Sequence, residues 1–263
     1  MFNFCSLYSG SSGNSLFVQT DNTKILVDAG ESAKKIETAL NSIDVNINDI
    51  DAVIVTHEHS DHIKGLSTIS KKFDIPIYAN KETWDAMPQV AEKTKNKNLF
   101  NVNEKFEIGD LKIVPFSIPH DAANPCGFNI FYNNQKISIA TDIGHIDKKI
   151  IKNLEESSFI LLESNYDPNI LSYSKYPYSL KQRIAGPNGH LSNEAAGKTV
   201  SYLLNSGLKN VMLGHLSKEN NFPELAYKTV IDELCASNFD ENKIKIAVAS
   251  RSNPSEILNL EVS

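Results

Sequence analysis

Residues 56–62, Thr56-His57-Glu58-His59-Ser60-Asp61-His62, put four potential metal ligands into six positions. Three imidazoles and a carboxylate at H-x-H-x-D-H spacing suit zinc and the other first-row divalent ions. That density exceeds what a polar turn or a helix cap requires. The apolar run Ala52-Val53-Ile54-Val55 precedes the donors and a helical pattern follows them. A strand that ends in such a turn holds its donors together at little entropic cost.

The other four histidines are His120, His145, His190 and His215. Each stands at or just after an expected strand end or beside a glycine: Ile118-Pro119-His120, Ile143-Gly144-His145, Asn188-Gly189-His190 and Leu213-Gly214-His215. None falls on an apolar helix face, where a histidine would serve the core. Asp142 follows the run Ile137 to Ala140 and is likewise presented at a strand end, as Asp28 is after Leu26-Val27. Rigid scaffolds place reactive groups on loops at such ends. Glu58 stands between ligands but points away from them, so it is expected to face solvent or to start the helix. His145 divides evenly between a helix start and a substrate contact.

To present these groups the chain must supply strands that stop at them. Phe2 to Thr20 predicts two short strands interrupted by Ser9-Gly10-Ser11-Ser12-Gly13-Asn14-Ser15. That run lacks the lysine and the spacing of a phosphate-binding loop and is expected to be a tight turn. Lys24-Ile25-Leu26-Val27 predicts a buried strand. Ser32 is placed to cap a helix with Ala33, Ile36, Leu40 and Ile43 on its apolar face. After the ligand turn, Ile63, Leu66, Ile69 and Phe73 predict one helix, and Ile75 to Tyr78 a strand. Residues 81–105 predict a short helix and an exposed loop over the Lys/Asn stretch 93–98. Further strands are expected at 105–108, 111–118, 128–132, 136–140, 159–162, 211–213 and 244–248, with a hairpin around Asn133-Asn134. Helices are expected at 146–154 and 225–234, and after Ser192, with Gly207 as the stop. Residues 164–191 show little periodicity and predict a long loop rich in Tyr, Lys and Arg, a length that is uncommon unless functional. Strand-rich and helical stretches alternate twice without a linker. This predicts an α/β fold of two αβ halves in a single domain, residues 1–263.

Composition narrows the function classes. The 263 residues are 41% hydrophobic and 22% charged, ordinary for a globular protein with a core. No run of about 18 apolar residues offers a membrane span. Met1-Phe2-Asn3-Phe4-Cys5-Ser6 lacks the basic-then-apolar pattern of a secretory signal. Three distant cysteines, Cys5, Cys126 and Cys235, argue for a reducing compartment, and a cytoplasmic location is expected. The net charge of −6 is not that of a broadly basic nucleic-acid binder. Contact with a polyanion would have to come from a local patch or from bound metal ions.

The ligand turn, with the later His120, Asp142 and His215 at strand ends, resembles the metallo-β-lactamase fold superfamily over nearly the whole chain. Shorter motifs narrow the resemblance to the YycJ-like (WalJ) branch: Ser9-Gly-Ser-Ser-Gly-Asn-Ser15, Pro119-His120-Asp121, Thr141-Asp142-Ile143-Gly144, Glu163-Ser164-Asn165, Gly189-His190-Leu191-Ser192-Asn193 and Gly214-His215-Leu216-Ser217. The resemblance implies a four-layer αβ/βα sandwich, two mixed sheets packed face to face with helices outside. It implies two divalent metal ions, Zn, Mn or Fe. His57, His59 and His120 would hold the first, Asp61, His62 and His215 the second, and Asp142 would bridge them with a hydroxide between. Asp61 counts as a catalytic residue as well as a ligand. Asp28 would act behind the ligands by fixing a histidine tautomer.

Position 142 is Asp where some true lactamases carry Cys, which favours phosphodiesterase and nuclease chemistry. Ribonucleases that trim transfer-RNA 3′ ends share the fold, with a Glu and a non-ligand His between the bridging Asp and the last ligand His. Glu163 and His190 stand in that order here. His190 is therefore expected to protonate or stabilise the leaving oxygen while Glu163 orients it. The YycJ-like resemblance implies an exonuclease on DNA, with nucleic acid as substrate and no membrane partner. The alternative is a hydrolase of a small phosphodiester, lactone or thioester on the same metals. A non-catalytic regulator is disfavoured by the full ligand set. A redox di-iron protein is disfavoured by the lack of a flavin partner domain in this chain.

Overall fold

The apolar runs Lys24–Val27 (β3) and Ala52–Ile54 (β4) are neighbouring parallel strands in the computed structural model, with almost every side chain buried. The structure describes residues 1–237 and 244–260. Its strands fall into two mixed sheets with helices, an α/β fold as expected. The chain separates into two compact units, Met1–Ser117 with Ala122–Gln135 and Ser250–Ser263, and Ile118–Asp121 with Lys136–Ala249.

In the first unit, Phe2–Tyr8 (β1) and Ser15–Gln19 (β2) pair antiparallel, and β2 pairs antiparallel with β3. Beyond β4 come the parallel strands Ile77–Ala79 (β5) and Lys97–Leu99 (β6). A C-terminal strand, Leu258–Leu260, which the sequence pattern did not disclose, pairs with β1. Helix Ala33–Asn41 (α1) starts at Ser32, whose Oγ accepts from Lys35 N, and buries Ala33, Ile36, Ala39 and Leu40. Each large apolar side chain so buried contributes roughly 1.5–3 kcal/mol before the entropy of ordering is counted.

Two expectations fail in this unit. The helix after the ligand turn is two helices, Ser60–Ile63 (α2) and Leu66–Phe73 (α3). Gly65 interrupts them because its N–H donates to Ala29 O at 2.7 Å and a side chain there would lie 2.5 Å from Glu31 O. Residues 93–98 are not all exposed loop. After Lys81–Ala86 (α4) and Pro88–Lys93 (α5), the chain enters β6. An edge strand exposes its polar side chains, so its composition reads as a loop. Phe106–Ile108 (β7), Leu111–Ser117 (β8) and Cys126–Tyr132 (β9) form an antiparallel meander whose first turn needs Gly109 at φ 55°. Phe106 stacks on Phe100 at 5.1 Å and on Tyr78 at 5.8 Å.

In the second unit four strands run parallel in register: Gln135–Ala140 (β10), Phe159–Glu163 (β11), Asn210–Gly214 (β12) and Lys245–Val248 (β13). Lys148–Leu154 (α6) follows β10, with Asp147 as its cap. Residues 164–191, expected as a loop, contain the helices Pro168–Tyr173 (α7) and Tyr178–Ile184 (α8). Both are under two turns, too short to show an apolar period, and Asp167 with Pro168 starts the first. Asn193–Leu204 (α9), capped by Ser192, packs against Pro223–Ala236 (α10). Gly197 permits the approach, since a side chain there would lie 2.8 Å from Glu233 Cβ.

Candidate metal centre

In the first unit the donors gather where β3 and β4 end side by side. Asp28 leaves β3 with φ 62°, a left-handed conformation that only a few residue types accept, and its N–H donates to Ile54 O. This turns the carboxylate under the ligand loop. Oδ1 accepts from Thr56 N at 2.9 Å, and Oδ2 accepts from Thr56 Oγ1 at 2.8 Å and from His62 Nδ1 at 2.7 Å. The Thr56 hydroxyl, its proton given to Asp28, accepts from His57 Nδ1 at 3.0 Å. Both imidazoles therefore carry their proton on Nδ1 and present the Nε2 lone pair. His57 packs against His62 at 4.1 Å and against His59 at 4.6 Å between ring centroids.

Asn14 is a site residue that its place in the Ser9–Ser15 run did not reveal. Its amide donates to His62 Nε2 at 3.1 Å and to Asp61 Oδ2 at 3.3 Å, two lone pairs a cation would also seek. The loop is tightly built around it. Asn14 N donates to Asp61 O, Gly30 N donates to Asn14 O, and a side chain at Gly30 would lie 1.6 Å from Asp61 O. Glu58 does not simply face solvent. It is half-buried, and Oε1 accepts from Ala123 N at 2.8 Å, tying the ligand loop to the segment before β9.

In the second unit the parallel strand ends do the positioning. Glu163 pairs in register with Gly214, so the carboxylate at the end of β11 stands beside His215 after β12, while Asp142 follows β10. Asp142 and His215 both adopt positive φ, 58° and 53°. Backbone strain of this kind costs of order 1–3 kcal/mol and collects at functional sites. Glu163 is fully buried and bonded on both oxygens. Oε1 accepts from His190 Nδ1 at 2.8 Å and from His215 Nδ1 at 2.9 Å, and Oε2 accepts from Ile143 N at 2.7 Å and Leu191 N at 3.1 Å. The carboxylate thus orients two histidines, not His190 alone. One ligand atom each from Asp142, Glu163, His190 and His215 lies within 4.8 Å of the others. The Nδ1 protons of both histidines point at Glu163, however, so it is their Nε2 atoms that are presented.

His120 donates from Nδ1 to Gly189 O at 3.1 Å, which again leaves the lone pair on Nε2. Facing that nitrogen are Asp121 Oδ1 at 3.4 Å and Asp142 Oδ1 at 3.8 Å. Burial pushes the His120 pKa down against the pull of Asp142, so the ring is the neutral form. Asp121 is paired with Arg183, while the neutral His120 lone pair beside Asp142 offers imidazole with carboxylate, a donor set that zinc, manganese and iron accept. Burial also opposes charge on His190, but Glu163 outweighs it and raises that pKa. Glu163 stays ionised: burial acts against the carboxylate, and the His190 charge with bonds from His190 and His215 more than offsets it. His145 is exposed and donates to Pro187 O at 2.8 Å, while Asp147 caps α6.

The branch motifs also acquire a structural meaning. Ser164 donates to Asn193 Oδ1 at 2.6 Å, Asn221 donates to Asn193 Oδ1, Ser164 O and Asn165 O, and Asn165 donates to His215 O at 2.7 Å. This buried polar network holds the ends of β11 and β12 and the start of α9 in place.

A model of the beta-lactamase superfamily domain matches residues 23–215. The exodeoxyribonuclease YycJ of Bacillus anthracis is 39% identical over 238 residues, 90% of each chain. The exodeoxyribonuclease WalJ of Streptococcus pneumoniae serotype 2 is 38% identical over 241 residues, again 90% of each. Among solved structures, the metallo-beta-lactamase fold protein YhfI from Bacillus subtilis matches with a TM-score of 0.70 at 16% identity, over 97% of this chain and 100% of that one. The last is a likeness of fold alone.

Proposed function

The chain belongs to the beta-lactamase superfamily, in its YycJ-like branch, and is a metal-dependent hydrolase; from that premise we propose that it is a dinuclear phosphodiesterase, an exonuclease on DNA. The observation that carries the phosphodiester reading is the buried Glu163 carboxylate bonded to Nδ1 of both His190 and His215. The proposed ligands are His57, His59 and His120 for one ion, Asp61, His62 and His215 for the other, and Asp142 for both. The chain works as one hydrolase domain. Two divalent ions, Zn, Mn or Fe, supply Lewis acidity and an acidified water when bound.

The side chains do the rest. Asp28, Thr56 and Glu163 hold His62, His57 and His215 in the Nδ1–H tautomer, so the Nε2 of each is ready for a cation without reorganisation. Asp61 orients the attacking water. His190, held by Glu163, delivers the proton on its Nε2 to the leaving oxygen, because an alkoxide is a poor leaving group unless protonated. Exposed Tyr173 and Tyr178, with Lys175 and Lys181 between and beside them, offer stacking and phosphate contacts to the strand. No described helix is long and apolar enough to cross a membrane, and the cysteines are unpaired. Work in the cytoplasm accords with this.

The second reading, a small phosphodiester, lactone or thioester as substrate, draws on the net charge of −6. End-labelled DNA and bis-p-nitrophenyl phosphate, offered side by side with Mn²⁺ or Zn²⁺, separate the two. Both are turned over on the nuclease reading; turnover of the ester with intact DNA supports the other. Asp28→Asn tests the tautomer argument. Asn tolerates the left-handed φ, so the fold should hold. Its amide in place of one oxygen disturbs the grip on His62. Zinc affinity, measured by competition with a chelating dye, is expected to fall about 10–100-fold.

A further inference from the structure

Beside His190, within the second unit, lies a cavity of about 410 Å³ that the chemistry above does not use. His190 and Leu191 form one wall, the first turns of α9 another, and the segment Gly144 to Ile151 a third. Its volume lies in the range of pockets that enclose a small organic ligand, roughly 300–1,000 Å³.

The lining has a definite chemistry. In a chain of net charge −6, no carboxylate among the described residues lines the cavity, while Lys198, His145 and His190 do. The cavity therefore favours an anion. Two phenol rings, Tyr166 and Tyr202, and the aliphatic Ile151 add apolar surface that a bare phosphate would not need. Tyr166 is only 8% exposed, yet among the described residues its hydroxyl has no protein hydrogen-bond partner. Tyr202 is 56% exposed, a large aromatic face at the rim.

The walls are also preformed. His145 donates to Pro187 O, and a side chain at Gly144 would lie 2.1 Å from that same oxygen, so the third wall is clamped to the turn before His190. His190 N in turn donates to Ile184 O at 2.8 Å.

We infer that this cavity is the subsite for the terminal nucleotide of the DNA strand, the one whose oxygen leaves beside His190. Lys198 pairs with its phosphate, Tyr166 donates to its sugar or phosphate, and Tyr202 stacks on the base. This rests on the nuclease reading, and the volume suits one nucleotide at the end of a strand.

The test reads binding, independent of turnover. The full-length, Mn²⁺-loaded protein is titrated calorimetrically with deoxyadenosine monophosphate, and separately with inorganic phosphate and with deoxyadenosine. The monophosphate is expected to bind at least tenfold more tightly than either fragment. Lys198→Ala, at an exposed helix position where alanine is a good helix former, should weaken it at least tenfold. Tyr202→Ala should weaken it about threefold or more, and Tyr166→Phe likewise. The assignment is overturned if phosphate alone binds as tightly as the nucleotide, or if Lys198→Ala and Tyr202→Ala leave the Kd within twofold. A protein that binds the nucleotide as expected but leaves DNA intact would overturn the nuclease reading while the subsite stands.

Discussion

Glu163→Ala is expected to cost about 3–5 kcal/mol of folding stability, the range for removing one partner of a buried charged pair. The carboxylate is fully buried and accepts four hydrogen bonds, from Ile143 N, Leu191 N, His190 Nδ1 and His215 Nδ1. Alanine leaves four donors without that acceptor, and each buried orphan costs about 1–3 kcal/mol unless water enters. Glu163→Gln is the sharper probe. Whichever way the amide turns, its NH₂ faces two N–H donors, either the backbone pair or the histidine pair. A loss of about 1–3 kcal/mol and a fall in activity of about 10–100-fold are expected. Urea unfolding measures the first and steady-state kinetics the second. Full stability and full activity in Glu163→Gln would show that the carboxylate orients nothing.

His190→Ala has the largest expected effect on rate. Losing a positioned general acid lowers kcat on DNA by about 10²–10⁴. The loss should depend on the leaving group. A p-nitrophenolate departs without a proton, so on bis-p-nitrophenyl phosphate the same variant is expected to lose less than about tenfold. Metal content should stay at the wild-type value, since His190 is not among the proposed ligands. Equal losses on both substrates, or loss of an ion, would make His190 a ligand or a structural residue and not the acid.

The residues proposed to hold this chemistry were legible to different depths. The donors stood out because ligand density in 56–62 and isolated histidines at strand ends are local features. In each unit those donors do come together: His57, His59, Asp61 and His62 in one, His120, Asp142 and His215 in the other. The caps at Ser32 and Ser192 were equally local. What escaped depended on partners far away in the chain. The helix break at Gly65 is made by Ala29 and Glu31. The role of Asn14 depends on His62 and Asp61. Glu163 reaches His215 because β11 and β12 are neighbours in register, and strand order is not written in either strand. The positive φ of Asp28, Asp142 and His215 was not foreseen, although Asp and His are among the few non-glycine residues that accept it. The short helices α7 and α8 and the edge strand β6 are below the length at which periodicity speaks.

We propose that this chain cleaves DNA from its ends on two metal ions. The direct measurement is metal titration of the demetallated protein, with release of nucleotides from end-labelled DNA as the readout. The expected result is no release without metal, release that rises until two equivalents of Mn²⁺ or Zn²⁺ are bound per chain, and complete arrest by EDTA. Release without metal, or intact DNA at two bound equivalents while bis-p-nitrophenyl phosphate is hydrolysed, would contradict it.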